Sequence, residues 1–211
     1  MSETQTDDRI TVYSDYVCPF CYLGRQSLSR YQADRDEELE IDWRPFDLRA
    51  GKRGPDGEID HDVDDGKDDE YYDQARQNVR RLSEKYDVEM AQEIATDVDS
   101  LPAQVASHYV AAEHPYEQWL AFDVALFEAL WEDGRDIGDL DVLADVAEDV
   151  GLDPEEIRDA ATDPERREAV ETLFDQARRE GVTGVPTFAY EGYAARGAVP
   201  PEQLERLVEG T

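Results

Sequence analysis

The chain contains two thiols, Cys18 and Cys21, and the four residues Cys18-Pro19-Phe20-Cys21 carry its clearest chemistry. They follow an alternating, β-branched stretch, Arg9 to Ser14 (RITVYS), and open a helical stretch that runs to about Tyr31. A C-x-x-C pair at such a junction is a redox signature with a mechanism. The spacing lets the two sulfurs close a short ring. The unpaired N–H groups and positive dipole end of a helix N-terminus stabilise a thiolate beside them. Thiolates so placed have pKa values lowered from ~8.5 to roughly 3.5–7.5. Cys18, nearer the helix terminus and more exposed, is expected to attack; Cys21, one turn further in, is expected to resolve the mixed disulfide. Pro19 suits a first helical turn, where its missing N–H would have had no partner. Disulfide exchange of this kind calls for no cofactor and no metal.

Other uses of these residues fit less well. Zinc asks for four ligands, and beyond the cysteines there are only His61, His108 and His114, the last two far along the chain. An iron–sulfur cluster on four cysteines is excluded by count. A calcium loop over Asp60, Asp62 and Asp64 fails in register, because its sixth place is Asp65 rather than Gly and its twelfth is Tyr71 rather than Glu. Two inert, buried cysteines remain a bland alternative. Further along, Thr183-Gly184-Val185-Pro186-Thr187-Phe188 puts a proline where a strand should run. An edge-strand or loop proline satisfies that pattern. So does a cis Val185–Pro186 bond, which would leave the Val185 backbone free to pair with an extended substrate.

The elements that must position these residues are legible from periodicity. Leu39 to Phe46 reads as a second strand and Asp47 to Asp69 as an exposed loop. From Glu70, Tyr72, Ala75, Val79, Leu82 and Tyr86 form a helical stripe, and residues 103–112 form another helix. Tyr116 to Trp131 is apolar around most of its circumference, which predicts a central buried helix. Leu140, Leu143, Ala147 and Val150 form a stripe ended by Gly151; Asp153-Pro154 and Asp163-Pro164 look like N-caps followed by Pro at N1. Val182 to Tyr190 reads as a strand, Glu191-Gly192 as a turn, Tyr193 to Ala195 as a return strand, and Pro200 to Glu209 as a closing helix. Strands at both ends with helices between predict an α/β chain: a sheet domain (1–68 and 178–211) carrying an inserted helical domain (69–177).

Charge bounds the partners. Lys and Arg number 21 and Asp and Glu 53, giving a formal net charge of −32. Such a field repels phosphate backbones and anionic lipid, so neither nucleic acid nor a membrane surface is an expected partner. No stretch approaches the ~20 apolar residues of a membrane span. The start, MSETQTDDRI, has neither a basic end nor an apolar core, so the expected location is the cytoplasm. The carboxylates are spread along the whole chain, and lysine is confined to Lys52, Lys67 and Lys85. That pattern is expected of a surface adapted to high salt, where the Debye length falls to about 3 Å at 1 M.

Three segments together resemble a known family. Asp15-Tyr16-Val17-Cys18-Pro19-Phe20-Cys21-Tyr22-Leu23-Gly24, Trp43-Arg44-Pro45-Phe46 and Gly184-Val185-Pro186-Thr187-Phe188 are similar to the DsbA-type thioredoxin-fold oxidoreductases, within them the FrnE-like branch. The resemblance spans nearly the whole chain. It implies a thioredoxin-like fold with a helical insertion, an attacking Cys18, a resolving Cys21 and a cis Pro186. It implies thiol or disulfide substrates, protein or small-molecule. Val185 and Pro186 are expected to position the substrate and Pro19, Phe20 and Tyr22 to line its approach with Trp43, although Phe20, Tyr22 and Trp43 fit the core equally well. The fold is shared with 2-hydroxychromene-2-carboxylate isomerases and kappa-class glutathione transferases, which typically lack the paired cysteines and use a Ser with glutathione. Relatives often carry Asn-Ser/Thr-x-x-Ala-His in the helical block, where this chain has Asp99-Ser100-Leu101-Pro102-Ala103-Gln104. Phe20 also replaces the His of the Pro-His dipeptide in periplasmic oxidants, which implies a less oxidising pair. An isomerase, or a non-catalytic thiol- or metal-binding module, is the competing expectation.

Overall fold

The computed structural model describes residues 8–54, 57–60, 62–63 and 66–210. The order of elements is β1 (Arg9–Ser14), α1 (Pro19–Ala33), β2 (Glu40–Pro45), a 3-10 turn (Ala50–Lys52), α2 (Asp69–Tyr86), α3 (Leu101–Glu113), α4 (Tyr116–Trp131), α5 (Leu140–Asp149), α6 (Pro154–Thr162), α7 (Pro164–Arg179), β3 (Thr187–Tyr190), β4 (Tyr193–Arg196) and α8 (Pro201–Glu209). This is the expected α/β order, with helices between two pairs of strands.

The four strands form one sheet in the order β2-β1-β3-β4. β1 and β2 run parallel, Ile10 beside Ile41 and Ser14 beside Pro45. β3 is antiparallel to β1, Val12 facing Phe188, and β4 is antiparallel to β3. Alternation puts Ile10, Val12 and Ser14 on the buried face of β1. The β3–β4 hairpin turns at Glu191 (φ 46) and Gly192 (φ 85), the two left-handed residues that a tight hairpin of the right twist requires.

One expectation needs correction. Val182 to Val185 is not strand; β3 begins only at Thr187. Val185–Pro186 is cis, Pro186 has no N–H for a ladder, and Thr187 Oγ1 donates to Gly184 O at 2.8 Å, closing a turn before the strand.

α4 is buried along most of its circumference, as its sequence predicts, through Trp119, Phe122, Leu126, Phe127, Leu130 and Trp131. The largest core cluster runs without a break from Ile10, Val12 and Phe188 of the sheet into Val110, Phe122, Leu130 and Val146 of the helices. Trp131 Nε1 donates to Tyr16 O at 2.8 Å and fastens α4 to the loop between β1 and α1. α6 and α7 begin as expected: Asp153 accepts from Glu155 N and Asp163 from Glu165 N.

Candidate active site

Cys18 is the N-cap of α1, extended in backbone (φ −94, ψ 113). Its carbonyl accepts from Cys21 N at 3.0 Å and Tyr22 N at 3.3 Å, so the helix starts at the cysteine pair itself. Cys18 thus stands at the end of the helix where the first-turn N–H groups and the positive dipole end lie, although its sulfur makes no cap hydrogen bond to them. Both thiols are free. Cys18 Sγ lies 3.6 Å from Val185 O, the carbonyl just before the cis bond to Pro186. Val185 thus lies against Cys18, and Cys18 is only 3% exposed against 2% for Cys21, so the expected difference in exposure is all but absent.

Cys21 is held as a thiol. Burial pushes its pKa well up, and a hydrogen bond and the charge of Cys18 push the same way; the Asp15 N–H opposes them. Gly24, one turn beyond Cys21, brings α1 onto the cis-proline loop. A Cβ built there would meet Pro186 Cγ at 3.0 Å and Phe188 Cζ at 3.1 Å.

Asp15 is buried and gathers three segments around the cysteines. Its Oδ1 accepts from Val17 N (3.2 Å), Ser100 Oγ (2.5 Å) and Gln104 Nε2 (3.2 Å), and its Oδ2 accepts from Leu48 N (2.8 Å). Burial raises its pKa to about 6, although these hydrogen bonds favour the ion. Bordering the same small cavity as Cys21 is a buried ion pair, Arg25 Nε to Asp123 Oδ2 at 3.0 Å. Tyr16 donates to Asp123 Oδ1 at 3.0 Å, and Arg25 also donates to Ser29 Oγ at 2.8 Å.

The structure brings together Cys18, Cys21, Pro19, Val185 and Pro186. Phe20 is half-buried, packed against the cluster that Leu23 of α1 forms with Val79 and Tyr86 of α2. Tyr22, expected to touch substrate, is 1% exposed, with its ring on Phe127 and its hydroxyl 2.5 Å from Glu132 Oε1. It faces the helices because position 22 lies on the buried side of α1, so it is a core residue. Trp43 packs on Tyr16 and donates to Ser14 Oγ at 3.0 Å. His108 and His114 stand on or next to α3, away from the cysteines, and His61 lies outside the described residues. Among the described residues no group of three or more His, Cys, Asp or Glu is placed to hold a metal. Of the rejected calcium pattern, Asp60 accepts from Asp62 N at 2.9 Å; Asp64 and Asp65 lie outside the described residues.

Sequence reasoning assigned no part to Asp15, Arg25, Asp123 or Gly24, which the structure sets around the cysteine site. Asp123 had a signal: a carboxylate inside a helix otherwise apolar on nearly every side. Arg25 had one too, four residues beyond Cys21 and so on the same helical face. Asp15 gave none beyond its place before the cysteines, because its partners come from distant segments.

With this geometry in view, three comparisons are informative. The family model for the DSBA-like thioredoxin domain matches residues 9–209. The chain is 28% identical over 203 residues to YwbO of Bacillus subtilis (strain 168), covering 94% of each chain. It is similar in fold to a probable DsbA oxidoreductase from Streptomyces coelicolor, with TM-score 0.74, 22% identity, and 96% and 90% of the two chains covered. It is equally similar to a 2-hydroxychromene-2-carboxylate isomerase, with TM-score 0.75, 20% identity, and 96% and 93% covered.

Proposed function

This chain belongs to the DSBA-like thioredoxin-domain family, and from that premise we propose that it is a thiol–disulfide oxidoreductase working through Cys18 and Cys21. The observation that carries the reading is the placing of Cys18 Sγ at a helix N-terminus and 3.6 Å from the Val185 carbonyl. Cys18 attacks one sulfur of a substrate disulfide; the new Cys18–substrate bond forms as the old S–S bond breaks, and one substrate sulfur leaves with the electron pair. Cys21 then attacks Cys18, the mixed disulfide breaks, and the second substrate sulfur leaves as thiolate. The substrate gains two electrons and the cysteine pair loses two; the reverse sequence oxidises a dithiol. The division of labour follows from the environments. Cys18 caps the helix under Val185, while burial and the facing Cys18 hold Cys21 as a thiol until a mixed disulfide is in reach.

The same reading assigns the chain to the FrnE-like branch, on the three motifs that flank the cysteines and the cis proline. It takes residues 69–177 as the helical insertion and protein or small-molecule thiols as substrates. It takes the protein as a cytoplasmic one of a salt-rich cell, on a cysteine pair read as reactive rather than structural and on the dispersed carboxylates.

The deciding experiment is insulin reduction by single variants. Cys18→Ser is expected to be inactive, and Cys21→Ser to accumulate a covalent Cys18–substrate adduct that dithiothreitol releases. Full activity in both variants would remove the redox reading. The likeness to the isomerase fold supports one alternative, an isomerase acting with a thiol cofactor. Such an enzyme would keep its turnover in Cys21→Ser.

A further inference from the structure

Asp and Glu make up 53 of 211 residues, about one in four, so a run of ten without either departs from the rest of the chain. Four such runs meet at the cysteines: 16–33, 74–83, 181–190 and 192–201. The first holds Cys18 itself. The third brings Val185 O to 3.6 Å from Cys18 Sγ. The fourth is tied to the third where Gly197 N donates to Pro186 O at 2.8 Å. The second is the middle of α2, whose Val79 forms with Leu23 and Tyr86 the cluster on which Phe20 packs; Tyr86, at the end of α2, donates to Ala198 O at 2.6 Å. A fifth run, 100–112, falls in the largely buried α3. Burial accounts for the lack of acid there and in most of 16–33. It does not account for α2, where Gln74, Gln77, Asn78, Arg80 and Arg81 are exposed.

This part of α2 also carries the opposite charge. From Gln74 to Lys85 stand Arg76, Arg80, Arg81 and Lys85 against one carboxylate, Glu84. Arg76 is paired with Asp73 and Arg80 with Glu93. Arg81 reaches the Asn78 amide at 3.5 Å, and Lys85 lies 5.5 Å from the centre of the Tyr86 ring; neither meets a carboxylate among the described residues. Exposed carboxylates resume at Glu84, Asp87 and Glu89. We propose that this acid-poor face, with Arg81 and Lys85 on it, docks an acidic protein that carries the substrate disulfide. The inference rests on the disulfide-exchange reading above and narrows its substrate. Over most of this molecule a partner rich in carboxylates meets like charge, which is strongly unfavourable at contact. On α2 it meets two cations that have no carboxylate of their own. Phe20 and Leu82, half-buried in one cluster, supply the apolar part of the contact. Salt divides the effect by distance. At 0.1 M the Debye length is about 10 Å and the net charge of −32 repels such a partner from afar; at 1 M it is about 3 Å, and charges in contact decide. The face therefore selects acidic partners at high salt.

The test is single-turnover reduction, by the reduced protein in 1 M KCl, of insulin, which is acidic, and of insulin whose carboxylates have been converted to amides. The ratio of the two second-order rate constants is read for each variant, so differences in the amount of active protein cancel. In the wild-type protein the ratio of insulin to its amidated form is expected to exceed one. In Arg81→Gln/Lys85→Gln it should fall about 5-fold. Gln77→Glu/Asn78→Glu, which puts carboxylates onto the exposed middle of α2, should lower it as well. Arg135→Gln/Arg158→Gln makes the same change in net charge, but at two surface pairs of the helical block, with Asp145 and Asp141. That control should hold the wild-type ratio within about twofold. A wild-type ratio below one, an unchanged ratio in either α2 variant, or an equal fall in the control overturns the proposal. A wild-type protein that reduces neither form would instead remove the disulfide-exchange reading on which it stands.

Discussion

At the scale of single residues, the site is built from groups that pay no heed to distance in sequence. Asp15 is the plainest case. Its folded-state pKa of about 6 lies above the ordinary carboxylate value of 3.8, so the folded protein resists its ionisation. The stabilisation from keeping it protonated is full below pH ~4 and is lost as pH rises to about 6, an effect on the order of 3 kcal/mol. Asp15→Asn should therefore gain stability relative to wild type across that window. Urea denaturation of both proteins at pH 4 and pH 7 measures it, and a constant difference would refute the assignment. Gly24 gives a second expectation. Gly24→Ala must push Pro186 or Phe188 aside and should cost about 1–3 kcal/mol, read from the same denaturation curves. The cysteine pair and Pro186 were legible in the sequence because their chemistry is local, spelled out in adjacent letters. The surroundings of Asp15 and Asp123 were not, since their partners, Leu48, Ser100 and Gln104 for one and Tyr16 and Arg25 for the other, are brought near only by the fold. For Tyr22, a neighbour of the cysteine in sequence, substrate contact and core packing fitted the pattern equally well, and the ring on Phe127 and the hydroxyl at Glu132 decide for the core.

At the scale of elements, local rules served well wherever the signal was periodic or chemically sharp. The strand at Arg9–Ser14 and the helix at Tyr116–Trp131 have the expected ends. Asp153 and Asp163 cap their helices as the Asp-Pro pairs predict, each accepting from a backbone N–H two residues on. The segment before β3 was misread because Val182, Val185 and Phe188 look alike to a propensity argument, whereas a cis bond between Val185 and Pro186 redirects the chain. Asp163 deserves a test of its own, because it ends α6 and begins α7, accepting from Glu165 N and more weakly from Arg166 N. Asp163→Ala should lower stability by about 1 kcal/mol. Asp163→Asn, which keeps the acceptor, should lose only a fraction of that; equal losses in a thermal melt would show that the cap is not the cause.

At the scale of the whole molecule, charge and packing oppose each other. Net −32 on 211 residues is a standing repulsion, and the ion pairs on the surface are mostly partly exposed, so each contributes little. Salt weakens those pairs, but it weakens the far more numerous like-charge repulsions too. The melting temperature is therefore expected to climb steeply between 0.1 and 3 M KCl, and a flat curve would contradict the salt-adapted reading. Packing works the other way, since the sheet and the helices share one uninterrupted core, pinned where the Trp131 indole reaches the Tyr16 carbonyl. Heated in a calorimeter at fixed salt, such a body has no seam along which to part. It should give a single endotherm, and the strands excised without their helices should neither hold their shape nor exchange a disulfide.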